Sequence, residues 1–275
     1  MKLTEPGTLA VRGPAPVACD DAGAIYVVDR AGFRVMTIDP AGRRGRDLSY
    51  PERGPDGQKN LASAACASGG NLYLSAPDTQ RVCKVPLNGE AASWLGVAAG
   101  GIPFLQVPAR LAPSKGGLDV WDPALKMVIT MSPQGGIVAA EKRVGLTPWP
   151  HAGGGHLYVA ENPEGSWRLK STRGGYDGLL PSRAGGRRTL SCELVGPAPA
   201  GGWVAHHYLG EPGGRPSGTC LRWLDEQGRV RSEAVFELGE GQDLPPPPGS
   251  AVGAGGRVCF LSCAGLEASV MVAGP

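Results

Sequence analysis

Six short runs of one kind divide the chain. Each opens on a glycine and continues as an apolar, strand-like stretch. They are Gly23-Ala-Ile-Tyr-Val-Val-Asp29, Gly70-Asn-Leu-Tyr-Leu-Ser-Ala76 and Gly117-Leu-Asp-Val-Trp-Asp122, then Gly155-His-Leu-Tyr-Val-Ala-Glu161, Gly202-Trp-Val-Ala-His-His207 and Gly256-Arg-Val-Cys-Phe-Leu-Ser262. The spacing, about 40 to 55 residues, is one supersecondary unit per repeat and matches sheets stacked around an axis. A second run closed by a turn follows most of them: Arg34 to Asp39-Pro-Ala-Gly42, Arg81 to Asn88-Gly89, Met127 to Pro133-Gln-Gly135, Cys220 to Gly228. Asn-Gly and Pro-x-Gly are turn chemistry, because glycine accepts a positive φ. The 44 glycines and 26 prolines of this 275-residue chain therefore punctuate strands from end to end instead of forming one low-complexity tract. Only Pro245-Pro246-Pro247-Pro248 is a proline run, which stiffens one connection as polyproline II.

Each unit reads as four strands. A lone four-stranded sheet cannot bury both faces, whereas six packed radially can. The expected fold is all-β: one six-bladed β-propeller domain of four-stranded antiparallel sheets spanning residues 1–275. Its blades fall near 14–50, 61–99, 108–145, 147–181, 190–238 and 249–275. The sixth unit ends soon after its third strand, Ala268 to Val272, and a spare segment, residues 2–12, precedes the first. That segment is expected to supply the missing outer strand and close the ring. Pro6 suits an edge position, where a missing amide donor costs little.

The remaining composition narrows the class. A net charge of +2 without a concentrated basic patch argues against a nucleic-acid partner. No run approaches the roughly eighteen apolar residues of a membrane helix, and Glu5-Pro6-Gly7 interrupts any secretory leader. Seven scattered cysteines, Cys19, Cys66, Cys83, Cys192, Cys220, Cys259 and Cys263, form no CxxC pair. They read as buried thiols of a reduced, cytoplasmic protein, and Cys259 with Cys263 lacks a nearby histidine for zinc.

The first unit carries a family resemblance. Gly13-Pro14 through Asp20-Asp-Ala-Gly23 and Tyr26-Val-Val-Asp29, then Arg34-Val and Asp39-Pro-Ala-Gly42, resembles an NHL-type blade. Units two and four share part of the pattern, in Asn71-Leu-Tyr-Leu with Asp78 and Arg81 and in His156-Leu-Tyr-Val. The resemblance implies a six-bladed propeller and a binding role. Related propellers contact protein or RNA, and some belong to phage-tail-like assemblies.

Function is expected on the loops after each second strand and on the links between blades. The candidate binding face comprises Asp29, Arg30, Asp78, Trp121, Asp122, Trp149, His151, Glu161, Asn162, His206, His207, Tyr208 and Arg215. A long blade-five loop, His206 to Gly218, stands out. Carboxylates at strand ends read first as loop caps or arginine partners. The primary reading is a non-catalytic protein-interaction or scaffold propeller with a protein partner and no cofactor or metal. The alternative is a small-molecule hydrolase or lyase of the lactonase-like propeller class. It would use His151, Glu161 and His207 with a divalent cation in the channel. Against it, Arg12-Gly13-Pro14-Ala15-Pro16 has no carboxylate where gluconolactonase-like propellers place a Glu. Adjacent His206 and His207 on a strand would also face opposite ways. Arg168, Arg173, Arg183, Arg187 and Arg188 read as a solvated edge, and Tyr26, Tyr73 and Tyr158 as packing between sheets.

Overall fold

The computed structural model describes residues 2–3, 16–98, 104–115, 117–142, 146–151, 154–174, 176–198, 201–239, 242–243, 250–264 and 267–275. The fold is a six-bladed β-propeller of antiparallel sheets, with no α-helix among the described residues. After β1 (Lys2–Leu3), blade 1 is β2 (Val17–Cys19), β3 (Ile25–Asp29), β4 (Arg34–Ile38) and β5 (Leu48–Ser49). Blade 2 is β6 (Ala64–Ser68), β7 (Asn71–Ala76), β8 (Arg81–Pro86) and β9 (Ser93–Leu95). Blade 3 is β10 (Arg110–Ser114), β11 (Gly117–Asp122), β12 (Met127–Met131) and β13 (Ile137–Lys142). Blade 4 is β14 (Leu146–Pro150), β15 (His156–Glu161), β16 (Trp167–Ser171) and β17 (Asp177–Leu180). Blade 5 is β18 (Arg183–Ala184), β19 (Arg187–Pro197), β20 (Trp203–Gly210), β21 (Gly218–Leu224) and β22 (Val230–Glu237). Blade 6 combines β23 (Gln242–Asp243), β24 (Ser250–Val252), β25 (Val258–Ala264) and β26 (Glu267–Ala273) with β1. The chain forms two compact units, one from Glu5 to Arg143 and one from Val144 to Pro275 together with Met1–Thr4.

The N-terminal strand does complete the last sheet: Lys2 pairs with Ser269 and Leu3 with Ala268. Residues 4–12, Pro6 among them, and the proline run lie outside the described residues. Period-two alternation distributes each strand's side chains between its two neighbours. On β7, Leu72 and Leu74 join Val28, Val35, Tyr50 and Val85 on the blade 1 side, while Tyr73 joins Leu95, Leu111 and Val120 on the blade 3 side. In the other unit, Leu157, Val159 and Trp167 of blade 4 meet Cys192, Leu194 and Ala205, and Val204 and Leu221 of blade 5 meet Val258 and Phe260. Each fully buried large aliphatic side chain contributes about 1.5–3 kcal/mol.

Two of the recurring glycines have a steric cause. At Gly117 (φ 133°) an added Cβ would collide with the Met131 carbonyl oxygen, and at Gly202 (φ 92°) with that of Leu224. Both oxygens belong to the blade's third strand, so the glycine lets the second strand start against it.

One sequence expectation is corrected here. The long loop of blade 5 begins not at His206 but at Glu211, because β20 continues through His206, His207 and Tyr208 to Gly210. All eight residues of β20 are buried between neighbouring sheets, which holds the histidines in the ladder: His206 opposite Leu221, His207 opposite Cys220.

Candidate functional site

In blades 1 and 3 the turn between second and third strands is built around an aspartate. Asp29 receives the Ala31 and Gly32 amides at Oδ1 (3.1 and 2.9 Å) and the Arg34 guanidinium at Oδ2 (3.0 Å). Asp122 ends β11 at the same register. It receives Ala124 and Leu125 amides at Oδ1, each at 3.1 Å, and Gln106 and Val107 amides at Oδ2 (2.7 and 3.0 Å). Both carboxylates are buried. They satisfy amide donors that would otherwise be orphaned, which is the capping role expected for strand-end carboxylates. They present no free oxygen array for a ligand.

On the same strand ends, Asp78 and Arg215 are exposed, and Arg30, Trp121 and Asn162 are half-buried. Glu161 is exposed at the end of β15. It lines an open cleft of about 600 Å³ with Asn162, Glu164 and Arg188. Trp149 and His151 do not share that position. Pro150 pairs with His156 and Glu161 with Trp167, so His151 sits at the opposite end of β15 from Glu161. Five steps of strand place the two roughly 16 Å apart along the chain direction. Trp149 is a packing residue: its indole Nε1 donates to the Leu194 carbonyl at 2.7 Å. The His151 ring lies 6.1 Å from that of Trp203.

His207 is the third member of the expected enzymatic set, and it is sealed inside blade 5. Its Nδ1 lies 3.3 Å from Thr189 Oγ1 and its Nε2 lies 3.7 Å from Cys192 Sγ. Arg222 Nη1 is 3.3 Å from each ring nitrogen. Burial first, then the Arg222 charge and that of His206, hold the imidazole neutral, its pKa well below the ordinary value. Arg222 is itself buried and spends its fork locally. Nε donates to Glu233 (2.7 Å), Nη1 to the Pro181 carbonyl (2.7 Å) and Nη2 to the Arg183 carbonyl (2.6 Å). One guanidinium thus ties the segment entering blade 5 to its outer strands, a planar geometry that lysine cannot reproduce.

His206 points the other way, toward blade 6. Ser250 Oγ donates to Glu193 Oε1 at 2.9 Å and lies 3.1 Å from His206 Nδ1. Thr219 Oγ1 donates to the His207 carbonyl at 3.0 Å and contacts His206 Nε2. Each ring nitrogen of His206 thus faces a buried hydroxyl, Ser250 at Nδ1 and Thr219 at Nε2. Glu193 Oε1 lies 3.5 Å from Nδ1. Tyr208 stacks on His206 (centroids 4.5 Å) and donates to Glu193 at 3.3 Å. Acid, imidazole and hydroxyl stand in the order of a proton relay. Glu193 and His206 are nevertheless each 1% exposed and Ser250 6%, so the chain of bonds joins two sheets and meets no solvent-borne substrate.

The expected face is therefore divided. His206, His207 and Tyr208 are interior, Trp149 and His151 lie at the other strand ends, and His151, Glu161 and His207 are not brought together. Glu193, Thr219, Arg222 and Ser250 escaped the sequence reading, because nothing local marks them as partners. The expected solvated arginine edge is seen in Arg168 with Asp177 (2.6 Å) and Arg187 with Glu237 (3.1 Å). The thiols of Cys66, Cys83 and Cys220 are each pushed up by burial to about 12, the values of inert packing cysteines. Among the described residues no cluster of three His, Cys, Asp or Glu could hold a metal, and no helix is long and apolar enough to cross a membrane.

No protein-family model matches the chain, and no curated protein matches it. Solved structures are similar in fold. A chain of the mitotic checkpoint complex aligns over 100% of this chain and 91% of its own length, at 9% identity and a TM-score of 0.62. A DUF4221 family member from Bacteroides vulgatus aligns over 98% and 95%, at 9% identity and 0.55. A catalytically inactive virginiamycin B lyase from Staphylococcus aureus, with quinupristin, aligns over 98% and 97%, at 10% identity and 0.52. At such identities the likeness is one of fold.

Proposed function

We propose that this propeller is a non-catalytic interaction or scaffold module, with NHL-like blade chemistry and a protein partner. A subunit's place in a larger assembly, such as a phage-tail-like complex, is one such role. One observation carries the reading. The buried imidazoles and carboxylates, His206, His207, Glu193, Asp29 and Asp122, are consumed in holding strands, turns and sheets together. The similar fold in the mitotic checkpoint complex supports a protein partner. Contact is assigned to the turns between second and third strands, with Glu161, Asn162 and Arg188 lining the cleft of blade 4. The lactonase-like alternative would need His151, Glu161 and His207 within reach of one substrate, and their positions in the strands oppose it.

Affinity capture with cross-linking from the source cells, using the native chain and Glu161→Arg, tests the proposal. A specific protein partner lost in the variant is expected. Turnover of a lactone or ester abolished by His151→Ala or His207→Ala would sink it.

A further inference from the structure

Blades 1, 2 and 3 repeat one turn between third and fourth strands, and they seat it differently. In blade 3 the turn is Pro133-Gln134-Gly135. It lies tight on blade 2: a Cβ at Gly135 would meet Leu95 Cδ2 at 3.0 Å, and Lys84 reaches across to the Pro133 carbonyl at 3.5 Å. In blade 2 the turn is Leu87-Asn88-Gly89. It stands off from blade 1, and the nearest atom to a Cβ at Gly89 is Arg46 Nη1, at 3.8 Å. The residue that could have bridged is short. Thr37 lies opposite Tyr26 in blade 1, where Lys84 lies opposite Tyr73 in blade 2. The Thr37 hydroxyl is turned back on the Arg46 carbonyl at 2.8 Å.

What remains is a slot of about 280 Å³, walled by Ala24, Tyr26, Leu48 and Leu87, with Arg46 and Gly89 also in its lining. Its charge is one-sided. Asp39, also in the lining, is occupied by Arg43, through the amide at 2.9 Å and Nε at 2.7 Å. Asp47 is taken by Arg34 (3.2 Å) and Arg44 (2.9 Å). Arg46 has no carboxylate partner among the described residues. Tyr26 is locked from below by its bond to Asp20 at 2.8 Å, so the wall is rigid.

We propose that this slot docks the C-terminus of a partner polypeptide ending in a large aliphatic residue. The side chain enters between Tyr26, Leu48 and Leu87, and the terminal carboxylate pairs with the Arg46 guanidinium. The volume lies just below the roughly 300–1,000 Å³ of pockets that enclose whole small molecules, which suits one residue. A guanidinium offers a carboxylate a two-pronged contact. The inference rests on the interaction reading and supplies a chemistry for one of its contacts.

Fluorescence polarisation with the labelled peptide Gly-Gly-Gly-Gly-Gly-Leu bearing a free carboxylate tests it. Amidating the terminus or making Arg46→Gln should each weaken binding about tenfold, the loss of one charge-assisted contact. Thr37→Lys, which copies blade 2 at a half-buried position of β4, should remove binding, while circular dichroism confirms that it folds. Equal binding by the amide or undiminished binding by Thr37→Lys would overturn the docking site. Capture of a cellular partner that survives Thr37→Lys also rejects the slot, while leaving the interaction reading standing. Loss of all capture by the native chain rejects that reading instead.

Discussion

Blades 1 and 2 pack against each other with aliphatic and aromatic side chains: Val28, Val35 and Tyr50 against Leu72, Leu74 and Val85. Blade 5 places polar side chains in the same layer, with Arg222 and His207 on one face of its sheet and Glu193 and His206 on the other. The backbone architecture is the same. The difference shows that a propeller needs only a filled layer between sheets, which either shape or hydrogen bonding can supply. The two solutions respond differently to substitution. An apolar layer tolerates swaps of equal volume, whereas a buried polar layer fails when one member is removed and its partners are left uncompensated.

The largest expected effect follows from that contrast. Arg222→Leu should destabilise by about 3–5 kcal/mol in urea-induced unfolding, because it orphans the Pro181 and Arg183 carbonyls and frees Glu233. Leu72→Met in the apolar layer should cost less than about 1.5 kcal/mol. Similar losses in both variants would break the comparison.

Next comes the pair facing blade 6. His206→Leu should cost about 1–3 kcal/mol, since it removes the ring that the buried Ser250 and Thr219 hydroxyls contact. In a double-mutant cycle with Glu193→Gln the two losses should be non-additive by roughly 1–3 kcal/mol. Additive losses would show that the imidazole and the carboxylate do not act as a unit.

This contrast also marks how far the sequence could be read. Blade 1 was legible because its signals are local. Gly23, the Tyr26-Val-Val-Asp29 strand and Asp39-Pro-Ala-Gly42 each specify their own backbone, and strand alternation assigns the buried faces. Even the pairing of Lys2 and Leu3 with the last sheet followed from counting strands. Blade 5 was legible only as strands. Ser250 and Glu193 are 57 residues apart, and Arg222 finds carbonyls 41 and 39 residues upstream. Such partners are chosen by how sheets stack, and no spacing rule announces them. His206-His207-Tyr208 therefore looked like loop chemistry when it is strand interior.

A smaller effect reads the burial of His207 through pH. The folded pKa of His207 is depressed, so between that value and the ordinary 6.5 the unfolded chain binds the extra proton. Stability from this residue is full above about 6.5 and declines as pH falls toward the folded pKa. The melting temperature of the native chain should drop between pH 7 and pH 5, and the drop should be shallower in His207→Gln. Carboxylates titrate mostly below this window. An identical slope in both proteins would mean that the ring is protonated in place.

The smallest effect lies at the rim of the same blade. Arg187 and Glu237 form an ion pair at 3.1 Å with the glutamate side chain 76% exposed. Water screens such a pair, and holding two long side chains together costs entropy, so Glu237→Gln should change stability by less than about 0.5 kcal/mol. The residual effect should vanish in 0.5 M salt, where the screening length is only a few ångströms. A salt-resistant loss comparable to that of Arg222→Leu would place the strength of blade 5 at its surface and remove the distinction between its interior and its edge.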